Sequence, residues 1–317
     1  MYNEELKVRF IRDKASGLST EKMYITVFNI TEPYETMWGA DICTKSGDDL
    51  RQVLGELVGL RSRNRWQKVS VLRDYCNWCI MAGIPGAVNG LTGMDKTLGL
   101  DKVRNTTVSS PAHLQSYLDK IFQFPESEET IDNAYRCYCW MAYGGIAEHD
   151  ITDIKCDQVD FDEMVIHYGK KDIPIYREAV MAFKKAVKLS SFNYIHPNYG
   201  TVRRDRADGD TIVRGFKPIT YKTMRIRLSR NVNEAVKSGD TKIQLSYRRL
   251  WISGLFYRIH EDEQMNGIPC DFEDAAADFM EGKEYDLSGG RNTIDSVRRK
   301  IASEYKQDYD LWKLVWY

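Results

Sequence analysis

The chain has 317 residues, 43% of them hydrophobic and 29% charged, and its 45 Lys and Arg against 46 Asp and Glu leave a net charge of −1. That is the balance of an ordinary globular protein, with length enough for two domains. Seven cysteines, an odd number scattered through the chain, argue against a disulfide framework, and no apolar run reaches the roughly 18 residues a membrane helix needs.

The opening stretch MYNEELKVRF is charged and lacks the apolar stretch of a signal peptide, so a cytoplasmic location is expected. The first hundred residues read as helical. Ser19-Thr20-Glu21 has the form of a helix start, and Asp48-Asp49-Leu50 opens a segment with Leu50, Val53, Leu54 and Leu57 at helical spacing. The clearest helix is predicted from Arg65 to Ala82, with Val69, Leu72, Cys76, Cys79 and Ile80 on one stripe, and Gly83-Ile84-Pro85-Gly86 stops it. Cys76 and Cys79 form a C-x-x-C, and Cys137 and Cys139 a C-x-C. Neither has a partner pair at zinc-finger spacing, and the first lies on the apolar stripe, so these thiols are expected to pack and no metal or cofactor is expected. Residues 89–110 are rich in Gly, Asn, Thr and Ser, as a linker is, which suggests domains over 1–106 and 107–317.

Beyond Pro111, helices are expected over His113–Phe122 and Glu128–Tyr143. The period then changes to short strands at Val159–Phe161, Met164–His167 and Ile173–Ile175, the last two joined by the turn Gly169-Lys170-Lys171-Asp172. Further helices are expected over Tyr176–Leu189, Thr220–Val236, Leu245–Ile259 and from Ile294 onward. The even net charge hides an asymmetry: residues 201–260 hold fourteen Lys and Arg against five Asp and Glu, whereas residues 261–296 hold two against eleven. A basic block in a neutral chain is a candidate phosphate-binding surface. The fold class read from this pattern is mainly α with a small β-sheet.

The layout and the order of short motifs resemble the tyrosine recombinases, or phage integrases. Trp38-Gly39-Ala40-Asp41-Ile42, Asp49-Leu50 and the helix Val69–Trp78 are similar to that family's helical, SAM-like core-binding domain. Gly145-Ile146-Ala147-Glu148-His149-Asp150 and Asp157-Gln158-Val159-Asp160 resemble its first catalytic box, G-L-R-x-x-E followed by Asp-hydrophobic-Asp. Gly169-Lys170-Lys171-Asp172-Ile173-Pro174 looks like its catalytic-lysine hairpin, Leu245-Ser246-Tyr247-Arg248-Arg249 falls where it carries H-x-L-R, and Tyr305 lies where its nucleophile is expected. The missing first arginine and the segment Tyr305–Trp312 further resemble the integrase-like master repressors of SPbeta-type prophages, the MrpR family.

The resemblance implies a phosphoryl transfer in which two arginines clamp the phosphate, a lysine and histidines move protons, and a tyrosine attacks. Lys170, Arg249 and Tyr305 are its vestigial candidates, but the first arginine position is Ala147 and the first histidine position is Ser246. Tyr305 also shares a helix face with Tyr309, which favours packing. The resemblance therefore implies a repressor, not an enzyme, which binds operator sites in double-stranded DNA in the bacterial cytoplasm. The expected DNA contacts are Arg61, Arg63, Arg65 and Lys68 in the first domain, and Lys170, Lys171, Arg203, Arg204, Arg206, Lys222, Arg225, Arg227, Arg248 and Arg249 in the second. Self-association is expected through the C-terminal helix. The competing expectation is an active recombinase with displaced catalytic residues, for which Arg136 is the nearest substitute for the first arginine.

Overall fold

A computed structural model describes residues 1–57, 62–92, 100–122, 130–196, 198–217, 219–280 and 293–317. The helices α1 (Glu4–Lys14), α2 (Leu18–Trp38), α3 (Gly47–Leu57), α4 (Ser62–Met81) and α5 (Leu100–Arg104) come first. Then follow α6 (Pro111–Ile121), α7 (Asp132–Gly144), the strands β1 (Val159–Asp160), β2 (Val165–Tyr168) and β3 (Lys171–Pro174), and α8 (Val180–Lys188). A hairpin of β4 (Ser191–His196) and β5 (Gly200–Asp205), α9 (Tyr221–Ser238), α10 (Tyr247–Asn266), α11 (Phe272–Met280) and α12 (Ile294–Trp316) complete the order. The fold is thus mainly helical, with a three-stranded antiparallel sheet β1-β2-β3 and a two-stranded ribbon β4-β5. Among the described residues no helix is long and apolar enough to cross a membrane.

The chain divides into two compact units, one of Met1–Val103 with Phe272–Tyr317 and one of Arg104–Asp271. In this division α11 and α12 group with the residues before Arg104. An apolar stripe such as Ala302, Tyr305, Tyr309 and Trp312, all buried, shows in the sequence that α12 must cover something. It does not show which body it covers.

In the first unit, Phe10, Phe28 and Tyr75 meet edge to face at centroid distances of 5.0 to 5.9 Å, and Cys76 and Cys79 are buried in the same core. Beside it, Lys7 and Glu35 form an ion pair of 2.5 Å with both side chains fully buried. Glu35 also accepts from the Thr31 hydroxyl at 2.9 Å and the Ile42 N–H at 2.9 Å. Those donors, with the ammonium, satisfy a charge that burial would otherwise neutralise. Asp41 similarly accepts from the Tyr75 hydroxyl at 2.9 Å and the Cys43 N–H at 3.0 Å, which ties the segment after α2 to α4.

In the second unit, α7 is buried along nearly its whole length and packs against α8 and α10. Gly254 of α10 lies so close that a Cβ there would come within 1.8 Å of the Tyr143 carbonyl oxygen. The β2–β3 hairpin pairs Tyr168 with Lys171, so its turn is Gly169-Lys170. Gly169, at φ 62°, takes the left-handed conformation that the first position of such a turn demands.

One expected DNA contact is corrected by this packing. Arg206 is 7% exposed, and its guanidinium donates to the carbonyls of Leu189 at 3.0 Å and Arg214 at 3.2 Å and to those of Ala186 and Ile212. Burial and the neighbouring Arg214 pull its pKa down to about 10. It closes the loop between α8 and α9, and four carbonyls with no helix or sheet partner converge on the only residue type with a planar fork of donors.

Gly254→Ala should destabilise the protein by more than about 2 kcal/mol in urea unfolding, because both nearest atoms are backbone and a helix must move; unchanged stability would contradict the close crossing. Arg206→Ala should also lose more than about 2 kcal/mol by orphaning buried carbonyls, whereas Arg203→Ala, at an exposed position, should leave the melting temperature within about 1 °C.

Candidate nucleic-acid interface

The end of α7 determines where the box Gly145–Asp150 sits. A helix leaves its last carbonyls without partners, and here α10 supplies the donors. The Arg258 guanidinium donates to the Tyr143 carbonyl at 2.6 Å, the Trp251 indole to Gly145 at 3.1 Å and the Tyr247 hydroxyl to Ile146 at 2.6 Å. Gly145, at φ 110°, turns the chain so that Ala147 to Asp150 lie beside the first turn of α10. Two motifs about a hundred residues apart in sequence, Gly145–Asp150 and Ser246–Arg249, are brought together by these three bonds. The hairpin joins them, because the Tyr168 hydroxyl donates to the Asp150 carboxylate.

The side chains at this junction are of several kinds. Ala147 is half-buried and carries no donor. Next to it, Glu148, with a side chain only 16% exposed, accepts from Nε of Arg225 at 2.8 Å and from its Nη2, and from the Tyr138 hydroxyl at 3.3 Å. Burial first, and Glu148 next, push the Tyr138 and Tyr247 phenols well above the ordinary tyrosine range. They stay protonated donors near neutral pH. Ser246 is the exposed N-cap of α10 and makes no side-chain cap bond. Arg248 is exposed and Arg249 half-buried, the latter with its carbonyl accepting from Ser253 at 2.7 Å. Arg136 is 1% exposed, 2.8 Å from Asp119 of α6 and stacked over Phe122. It is a packing residue of the α6–α7 seam.

Lys170 and Lys171 are exposed on the hairpin. Tyr305 belongs to the first unit, where it is 3% exposed and meets Phe279 edge to face at 5.8 Å, in keeping with the packing its spacing with Tyr309 predicts.

The basic block separates into several kinds of cation. Arg203 and Arg204 lie on the exposed strand β5, the first donating to Ser191 at 2.9 Å and the second over the Phe216 ring. Lys222 is exposed at the start of α9. Arg225 is paired with Glu148, and Arg230 with Glu234 at 2.8 Å. Arg227 is half-buried over the Tyr135 ring at 5.5 Å. In the first unit Lys68 is half-buried on α4; Arg61 and the side chains of Arg63 and Arg65 lie outside the described residues. Sequence reasoning missed the β4–β5 ribbon, although Phe192 to Ile195 followed by Pro197-Asn198-Tyr199-Gly200 is a strand-and-turn signal. It also gave Glu148, named only as part of the box after α7, no role of its own, because its partner is 77 residues away.

Residues 1–81 match the family described as MrpR, N-terminal core-binding domain. No curated protein matches the chain significantly. Among solved structures, the chain is similar to the Tn1549 transposon integrase in complex with circular intermediate DNA, at 13% identity over 93% of this chain and 97% of that one, with a TM-score of 0.35. It is also similar to the integrase from mycobacterium phage Brujita, at 15% identity over 96% and 92% with a TM-score of 0.31. A third is the lambda integrase dimer bound to a COC' core site, at 14% identity over 96% and 77% with a TM-score of 0.33. At such scores the assignment rests on the match to the N-terminal residues. What the comparisons show is thus a likeness of residues 1–81 to the MrpR N-terminal core-binding domain.

Proposed function

We propose that this protein binds specific sites in double-stranded DNA as a transcriptional repressor that maintains prophage lysogeny, and that it does not cut DNA. The observation that carries the reading is the occupancy of the box after α7. Ala147 offers no charge to a phosphate, and the adjacent Glu148 holds Arg225. Phosphoryl transfer depends on donors aimed at the developing negative charge, and losing one typically lowers the rate by about 10² to 10³. Binding needs no such clamp. Exposed Lys170, Lys171, Lys222 and Arg248 supply cations for backbone phosphates, and Arg203 and Arg204 add a basic ribbon. The core-binding domain and the second unit would grip the duplex together, the first through Lys68 and the Arg61, Arg63 and Arg65 cluster. The protein would act in the cytoplasm of a bacterial host. The exposed Leu314 and Tyr317 of the C-terminal end would serve self-association.

The competing reading, an active recombinase with displaced residues, requires another cation at the box. Arg136, the substitute read from the sequence, faces Asp119 from a buried position, and the cations that do reach the box are engaged, Arg225 by Glu148 and Arg258 by the Tyr143 carbonyl.

Fragments of host and phage genomes selected by the full chain should share a common sequence, and that sequence upstream of a reporter should be repressed by the chain. Selection without a common sequence, or a reporter that does not respond, would count against a repressor. Replacing Lys170, Lys171, Lys222 or Arg248 with Ala should reduce the slope of log K against log salt by about 0.9 for each phosphate that the variant no longer neutralises. A fourfold variant with unchanged slope would remove this face from the DNA. Tyr305→Phe should leave affinity for the selected site unchanged, while Arg249→Ala should weaken it about tenfold or more, since charge-assisted hydrogen bonds contribute about 1.5–3 kcal/mol. The two affinities, measured by anisotropy at one salt concentration, separate binding from chemistry.

A further inference from the structure

We propose that Glu148 is a positioning residue for sequence reading: it holds the Arg225 guanidinium by one edge so that the other edge can meet a base. The inference rests on the DNA-binding reading above and names a part of that interface. Arg225 stands in the second turn of α9, behind the N-cap Thr220. Its side chain is 59% exposed, and a long exposed arginine ordinarily samples many rotamers. Here Glu148 engages Nε and Nη2 together, and the Tyr221 ring lies 5.9 Å from the guanidinium carbon.

Glu148 is itself fixed. The Tyr138 hydroxyl donates to it, and the Tyr247 hydroxyl pins the Ile146 carbonyl two residues before it. The arrangement leaves the terminal edge of Arg225, Nη1 with the remaining N–H of Nη2, directed away from the carboxylate. That pair of parallel donors has the spacing of the O6 and N7 acceptors of guanine in the major groove.

Charge separates this role from a phosphate contact. The Glu148–Arg225 pair is neutral, so it adds little to backbone attraction and what it adds is geometry. Lys222, one turn earlier, lies over the Tyr221 ring instead and keeps its charge for a phosphate. The exposed face of α9 near Arg225 carries side chains suited to base edges: Ile226, 70% exposed, for a thymine methyl, and exposed Ser229 and Asn233 for hydrogen bonds. An isoleucine so exposed on an otherwise polar helix face contributes nothing to the core.

The test uses the full chain and a duplex that it selects from a randomised pool, with an unrelated duplex of equal length as control. Arg225→Lys, which keeps the pair neutral, should weaken binding to the selected duplex about tenfold and leave binding to the control and its salt slope unchanged, and Glu148→Gln should lower the ratio of selected to control affinity about tenfold. The double variant should lose no more than either single one, Glu148→Asp should recover most of the affinity, and the melting temperature of every variant should match the parent. If Glu148→Gln leaves the ratio of selected to control affinity unchanged, the proposal is wrong. It is equally wrong if Glu148→Gln tightens binding to both duplexes and steepens the slope, since the carboxylate would then be a competitor for Arg225. Failure of the parent chain to bind either duplex at low salt would overturn the DNA-binding reading as well.

Discussion

The crossing of α7 and α10 is the constraint on which the second unit depends. Gly254 lets the two backbones approach until a methyl group would not fit, and that approach puts Arg258, Trp251 and Tyr247 within reach of three carbonyls at and just beyond the end of α7. A helix terminus buried without donors would cost about 1–3 kcal/mol for each orphaned carbonyl. The same bonds that prevent this also fix the direction of the next five residues. The placement of Ala147, Glu148 and Asp150 beside the first turn of α10 is therefore a consequence of core packing, and it would persist whether or not any of those residues did chemistry.

How the cations are used follows from the same geometry. Arginine appears in this unit in buried, paired and exposed forms. Arg206 and Arg136 are buried and bound to carbonyls and a carboxylate. Arg225 and Arg230 are exposed but paired. Arg203, Arg204 and Arg248 are exposed on a strand and a helix start. Exposed ion pairs contribute little to stability, typically about 0–1 kcal/mol, so the pairing of Arg225 and Arg230 has its main consequence for the field at the surface. Of the block of fourteen Lys and Arg, Arg225 and Arg230 are offset by carboxylates.

Periodicity made α4, α9 and α10 legible, since Val69, Leu72 and Cys76 or Ile252, Phe256 and Ile259 recur at helical spacing and are all buried. The β2–β3 hairpin was legible from the turn signal Gly169-Lys170-Lys171-Asp172, although Lys171 and Asp172 prove to belong to β3. What could not be read depends on long-range return of the chain. Whether Arg206 meets solvent or four carbonyls is decided by where residues 186, 189, 212 and 214 come back to it, and no local pattern encodes that. The grouping of α12 with the first unit is of the same kind. The ribbon β4–β5 was hidden for a different reason: its arginines drew attention to charge, while alternation, the strand signal, is weak in a segment whose β5 side chains are almost all exposed.

The proposed function stands or falls on whether a protein with Ala147 and the Glu148–Arg225 pair after α7 binds DNA without cutting it. Trapping on a nicked suicide duplex tests it most directly, because cleavage there releases a short strand and leaves any covalent tyrosine linkage stranded for detection after denaturation. The full chain, at concentrations that saturate its selected site, should form no denaturation-resistant complex with the labelled strand. A covalent adduct that disappears in Tyr305→Phe would contradict the claim.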